Sequence, residues 1–253
     1  MALQLNTTER VVVLVKALPQ PSKRYGETVC CAGLTSDGSW RRLYPVRFRH
    51  LEESAFDRWQ WISYRWEWPR DDKRQESRRI HENSIHPERL MPCRERARLI
   101  AKVERLSTTD ARNRGESLCI LKSQNSRFYW RKKTLTAIRK EKESYEIAAR
   151  QLSLLDRELQ AYQPAPYEFK FKITDQDGGH DFSCQDWETH AAFWKLSGRY
   201  GEEKALQHLT RIYNEEYPRK GFRFALGTVK KRPEQWLLLG VLRVDDEPQA
   251  DLF

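Results

Sequence analysis

No stretch of these 253 residues approaches the roughly 20 apolar positions needed to span a bilayer; the longest runs, Val11–Val15 and Trp236–Leu239, are short. The opening MALQLNTTER lacks the basic, apolar and small-residue sections of a secretion signal. Cysteine is sparse and odd in number (Cys30, Cys31, Cys93, Cys119, Cys184), with no CxxC pair. That excludes a disulfide framework and suits a reducing cytosol. A P-loop, GxSxG, HExxH and a Rossmann glycine set are all missing, as are internal repeats and low-complexity tracts. The expectation is a cytoplasmic protein with no membrane role, no cofactor and no metal announced by a motif.

What is abundant is charge and aromatic surface. Charged residues make up 32% of the chain and aromatics 11%, with nine Trp, which argues for a folded protein and against disorder. The net charge of +10 is unevenly spread along the sequence. Residues 1–140 hold 30 Lys/Arg against 16 Asp/Glu, and residues 141–253 hold 16 against 20. An excess confined to one half points to a polyanionic partner. Arg outnumbers Lys in that half, which favours forked phosphate contacts and stacking over a diffuse cloud.

The periodicities predict an α+β protein with a basic, β-rich N-terminal half. Arg10–Ala17 reads as a strand buried on both faces, Glu27–Leu34 as a second closed by Ser36-Asp37-Gly38, and Ser39–Arg49 as a third. Trp59–Trp68 is a fourth with bulky residues on both faces, so it either lies between two layers or offers aromatic faces to a ligand. A small curved sheet or barrel accommodates these segments. Residues 69–92 read as charged and irregular, 93–106 as either helix or strand, and 117–122 as a short strand. A long helix over 141–162, with Tyr145, Ala148, Leu152, Leu155, Leu159 and Tyr162 as its seam, ends at Pro164 and joins the halves. Beyond it the order is ββααββ: a hairpin around Asp177-Gly178-Gly179, helices over 186–196 and 202–217, and a second hairpin of 222–229 with 235–244. The domains expected are therefore 1–140, a connecting helix 141–163, an α+β unit 164–244 and a tail 245–253.

Four groups of residues carry candidate chemistry. In the third strand Arg41, Arg47 and Arg49 share a face at even spacing, a row suited to successive phosphates, with Trp59 and Trp61 as stacking platforms for unpaired bases. Within Arg70–Arg79, Asp71, Asp72 and Glu76 sit among basic residues; they suit either a metal for phosphodiester chemistry or, more ordinarily, solvated ion pairs. Between Gly178 and His190, His180 and Cys184 are of zinc-ligand type, but without a CxxC pair the better reading has Asp186 capping a helix. Asp156 with Glu168-x-Lys170 makes a metal-dependent nuclease the main enzymatic alternative.

The chain closes DDEPQADLF, and Gln249, Asp251, Leu252 and Phe253 resemble the short pentapeptide by which many bacterial DNA polymerases and repair proteins dock on the sliding clamp. Ala250 stands where a Leu is frequent. A polar head that sets register and two apolar residues for a pocket are what such docking needs. Across the chain, KRYGETVCCAG and WRRLYPVRFR in front, with HDFSCQDWE, FRFALGT and WLLLGVLR behind, resemble a group of bacterial proteins of no assigned activity. The resemblance implies no catalytic residues. The functional expectation is nucleic-acid binding, DNA favoured, in replication, repair or defence, with the clamp as partner; an RNA-binding or ribonucleoprotein role is the other alternative.

Overall fold

In a computed structural model the chain is described over residues 7–22, 26–47, 56–153, 162–230 and 232–245. It forms two compact units that interleave along the sequence. The first is drawn from Met1–Leu90 and Lys132–Tyr167, the second from Met91–Arg131 and Glu168–Phe253.

The first unit holds β1 (Thr7–Lys16), β2 (Gln20–Ser22), β3 (Gly26–Leu34), β4 (Trp40–Arg47), β5 (Gln60–Glu67), β6 (Ser77–Ile80) and β7 (His86–Leu90). Five of these close a barrel in the order β1-β3-β4-β6-β5, with β5 returning to β1; β2 and β7 pair outside the ring, on β3 and β5. Closure leaves no free edge in the ring, and the lumen is filled by Val11, Val13, Val29, Cys31, Leu43, Val46, Ile62, Tyr64 and Trp66. Cys31 is buried there while Cys30 is half-buried, as opposite faces of a strand require. Gly33 is imposed by closeness: a Cβ on it would lie 2.3 Å from the Val12 carbonyl oxygen. The turn after β3 is tied by Asp37, which accepts from the Thr35 and Ser39 hydroxyls, with Gly38 at φ 91.

β6 and β7 lie within the stretch read as irregular. Ser77–Ile80 reads Ser-Arg-Arg-Ile, and no apolar alternation marks it because Arg78 turns inward.

In the second unit α1 (Cys93–Ile100), β8 (Glu104–Arg105), α2 (Thr108–Asn113), β9 (Leu118–Leu121) and β10 (Asn125–Lys132) precede the return to the first unit. There α3 (Leu135–Ser153) begins earlier than its apolar seam suggests, because Thr134 accepts the Ala137 amide at 3.2 Å and starts the helix. Rather than bridging two halves, α3 packs on β2 and β3, and the Tyr145 hydroxyl donates to the Pro19 carbonyl at 2.7 Å. Of the seam, Leu155 and Leu159 lie outside the described residues, whereas Tyr145 and Tyr162 meet edge to face.

The second unit resumes with β11 (Tyr167–Asp175) and β12 (Gly178–Ser183), α4 (Trp187–Tyr200), α5 (Glu202–Arg211), a π-helical turn (Ile212–Glu216), α6 (Tyr217–Arg219), β13 (Phe222–Val229) and β14 (Arg232–Arg243). The ββααββ order is present, but each hairpin recruits earlier strands: β10-β11-β12 form one sheet and β14-β13-β9-β8 another. Phe128, Phe169, Phe171, Tyr213, Phe222 and Phe224 form an aromatic core with ring centres 4.5–6.4 Å apart. Among the described residues no helix is long and apolar enough to cross a membrane, and all five cysteines are free.

Candidate nucleic-acid interface

Of the row of guanidiniums expected on β4, Arg41 does not face outward. Arg41 lies on the lumen side with Leu43, where its Nε meets Glu9 Oε1 at 2.5 Å. Glu9 Oε2 also accepts from Arg78 Nε and from the Tyr64 hydroxyl, each at 3.0 Å, so two arginines and a phenol converge on one carboxylate at the barrel end. Burial, and then the charge of Glu9, push the Tyr64 phenol far above its ordinary range, which keeps it a donor. A register shift between Val29 and Cys31 breaks the alternation of β4: Leu43 and Val46, three residues apart, both line the lumen. An even separation from Arg41 to Arg47 therefore no longer guarantees a shared face. The Arg47 side chain and Arg49 lie outside the described residues, as do Gln249, Asp251, Leu252 and Phe253 of the tail.

Trp59 and Trp61 are each only 5% exposed, so as stacking platforms they are a correction. Trp59, at φ 67, donates its amide to the Val13 carbonyl and is folded into the barrel end. Trp61 points away from the lumen, but the Arg10 guanidinium lies 4.3 Å from its ring centre and is held there by Glu88. β5 thus sits between layers. Among the described residues of this unit the open aromatics are others: Trp68, 54% exposed and edge to face with Trp66, and Tyr44.

Of the three carboxylates within Arg70–Arg79, Asp71 is exposed, and Asp72 and Glu76 are spent on arginines. Asp72 takes Arg74 through both oxygens and accepts from Ser77 at 2.8 Å, while Glu76 meets the buried Arg42 at 3.3 Å. Burial opposes ionisation of Asp72, yet the bonds from Arg74 and Ser77 outweigh it and hold the carboxyl at about 2, below its ordinary 3.8. A depressed carboxyl contributes stability that is present above its unfolded value and lost as pH falls through the folded one. Asp72→Asn should therefore melt below the parent protein at pH 5, with the gap closing between pH 4 and 2. Melting curves across that range check it, and a gap independent of pH would sink it.

A continuous basic surface is found on the second unit instead, on the outer face of β10-β11-β12. Phe128, Phe169 and Phe171 point into the core, so the alternate residues Arg127, Tyr129 and Arg131 of β10 and Glu168, Lys170 and Lys172 of β11 point out. From β12, register places Asp181 opposite Lys172 and Ser183 opposite Lys170. Tyr129 is the centre of this face. Its hydroxyl donates to Asp181 at 2.7–2.9 Å, and Arg131, Lys172 and Lys170 stand 5.5, 5.9 and 6.0 Å from its ring centre. Lys170 pairs with Asp181 at 3.2 Å; Arg127, Arg131 and Lys172 meet no carboxylate among the described residues. Four cations face two carboxylates, and Glu168 is engaged by Ser183 at 2.5 Å.

β10 is kept in place from behind. Asn214, on the π-helical turn, accepts the Phe128 amide at 2.7 Å and donates to the Phe128 carbonyl at 3.1 Å, acting as a one-residue strand partner. Such π-turns recur at functional sites because the wider turn re-aims one side chain. No element is expected over 123–140 from the sequence alone; the alternation of Arg127, Tyr129 and Arg131 with Phe128 and Trp130 is the signal of β10.

The remaining candidates separate. His180 Nε2 lies 2.9 Å from Asp175 and its ring stacks on Phe182, whereas Cys184 is buried in a bridge to Leu238. No three His, Cys, Asp or Glu side chains converge among the described residues. Asp186 does precede α4, but its carboxylate accepts from the Thr189 hydroxyl at 3.2 Å and the Val241 amide at 3.3 Å, tying the helix to β14. Of the nuclease trio, Glu168 and Lys170 share the outer face described above, and Asp156 lies outside the described residues.

Residues 7–104 match the family described as Domain of unknown function (DUF8758), and residues 102–253 the family described as Domain of unknown function (DUF8757). No curated protein and no solved structure matches the chain.

Proposed function

The chain belongs to the DUF8757 family through residues 102–253, a membership that brings no activity with it, and we propose on the strength of its surface that the protein binds nucleic acid, DNA above all. The observation that carries the reading is Tyr129 set among Arg131, Lys170 and Lys172 on an open sheet face. Single-strand binders combine a positive track for the backbone with aromatic faces for the bases, and stacking is worth about 1–3 kcal/mol per base. An unpaired strand along β10 would place phosphates against Arg127 and Arg131 with a base at Tyr129. Net charge favours the encounter, since both units carry an excess of Lys and Arg.

The protein works in the cytoplasm, in replication, repair or defence, and the Gln249–Phe253 peptide recruits it to the sliding clamp. Titration of labelled single- and double-stranded oligonucleotides at increasing salt tests the central part. Single strands should bind tighter, with log affinity falling against log salt by about 0.7 per neutralised phosphate. Absence of binding at low salt would sink the reading. Deleting Gln249–Phe253 should abolish capture by purified clamp and leave DNA binding intact. Competition with RNA of the same sequence decides between nucleic acids, and magnesium-dependent, chelator-sensitive cleavage would move the reading to a nuclease.

A further inference from the structure

A cleft of about 540 Å³ opens in the second unit between the segment joining β9 to β10 and the chain that runs from α6 into β13. Its walls carry Lys122, Arg219 and Arg223, and among the described residues no carboxylate lines it. We propose that this cleft is a phosphate-binding site for a ligand of nucleotide size, separate from the Tyr129 face.

The cations are brought together by the fold at a cost that a ligand would repay. β9 and β13 pair with Leu121 opposite Phe224, so the next position along the same register sets Lys122 across from Arg223. Like charges facing each other across a strand pair destabilise it. Glu104 offsets one of them: it accepts Arg223 Nε at 2.6 Å, and Arg223 is further held by the Phe222 carbonyl at 3.0 Å. Arg223 is thus a fixed part of the wall. Lys122 and Arg219 are exposed and meet no carboxylate among the described residues, which leaves two positive charges at the rim. Gly221, at φ 76, makes the sharp turn that sets Arg219 beside the start of β13.

The rest of the lining suits the same ligand. The amide of Asn214 is committed to Phe128 on both sides, and the Ser123 hydroxyl is committed to the Asn125 and Thr174 carbonyls, so the wall is stiff. The volume falls in the roughly 300–1,000 Å³ range of small-molecule sites, larger than a bare phosphate needs. A concave wall concentrates the field of its charges, and two exposed cations with an anchored third make a grip for a phosphate ester.

The ligand's phosphate has two sources, a free nucleotide or the phosphorylated end of a strand. Calorimetric titration with AMP and pyrophosphate, and of a short oligonucleotide with and without a 5′-phosphate, separates them. Binding of AMP assigns a free nucleotide; a preference of at least about tenfold for the phosphorylated oligonucleotide, without AMP binding, assigns a strand end, and either supports the site. In each case Lys122→Ala with Arg219→Ala should weaken binding by about 5- to 30-fold, the combined effect of removing one ionic interaction with the phosphate at each position. The unliganded melting temperature should not fall, because both side chains are exposed and Lys122→Ala removes a like charge facing Arg223. Neither AMP nor pyrophosphate binding at millimolar concentration, together with indifference to the 5′-phosphate, would overturn the proposal, as would undiminished binding by the double variant. Tyr129→Ala keeps the outcome separate from the strand-binding reading: it should lose affinity for unphosphorylated single strands while AMP or end-phosphate recognition persists.

Discussion

Replacing Arg131, Lys170 and Lys172 together by alanine is expected to weaken single-strand binding by about 10- to 100-fold at moderate salt, from roughly 0.5–1 kcal/mol for each exposed ionic interaction. The salt dependence should flatten at the same time, by about 2 in the log–log slope if each side chain neutralises one phosphate. The fold should be untouched. Arg131 and Lys172 meet no carboxylate among the described residues, and the Lys170–Asp181 pair lies at a partly open surface where such pairs contribute little. Tyr129→Ala should add a further loss that does not vary with salt, since stacking is not ionic. The informative contrast is Arg41→Ala, which strips Glu9 of one of its two guanidiniums at the barrel end and should cost stability ahead of DNA affinity. If the triple variant binds as the parent does, the interface is not on β10-β11-β12.

Asp186→Ala should be among the most destabilising single changes in the second unit, by about 1–3 kcal/mol, the range for a buried donor that loses its acceptor. The carboxylate is fully buried at 0% exposure. Its loss removes an acceptor from the Val241 amide and from the Thr189 hydroxyl, and the latter keeps the buried Tyr213 hydroxyl at 2.9 Å. Each buried polar group left unsatisfied costs about 1–3 kcal/mol. Asp186→Asn keeps an acceptor oxygen of the same reach and should recover part of the loss. Urea unfolding followed by tryptophan fluorescence reads both variants. A loss below about 1 kcal/mol for the alanine variant would show that the anchor between α4 and β14 lies elsewhere.

Much of the fold was legible because it is written locally. Val11–Val15 cannot be other than a buried strand, Ser36-Asp37-Gly38 is a turn by its own side chains, and Asp177-Gly178 closes a hairpin whichever sheet receives it. The elements that escaped are those whose inward residues are charged or mixed. β6 carries Arg78 into the barrel, and β10 alternates cations with aromatics. Nothing in a window of a few residues says that Arg78 will face a carboxylate 69 positions away at Glu9. Arg41 was read outward by a period of two, which holds only until a bulge shifts the parity.

The sequence by itself determined the α+β class, the positions of most strands and helices, and an excess of positive charge. Where that charge lies was decided by the tertiary structure. Along the chain the excess belongs to the front half, but the units that form in space divide it almost evenly: 23 Lys/Arg against 17 Asp/Glu in the first and 23 against 19 in the second. The chain leaves the first unit after Leu90 with a basic segment and re-enters it at Lys132, so Arg127 and Arg131, from the front of the sequence, come to share a face with Lys170 and Lys172 from the back. Backbone preference and side-chain period act over a few residues and are visible in a line of letters. Which strands pair, and which cations therefore stand around one tyrosine, depends on burying surfaces that are distant along the chain, and that is settled only when the whole core closes.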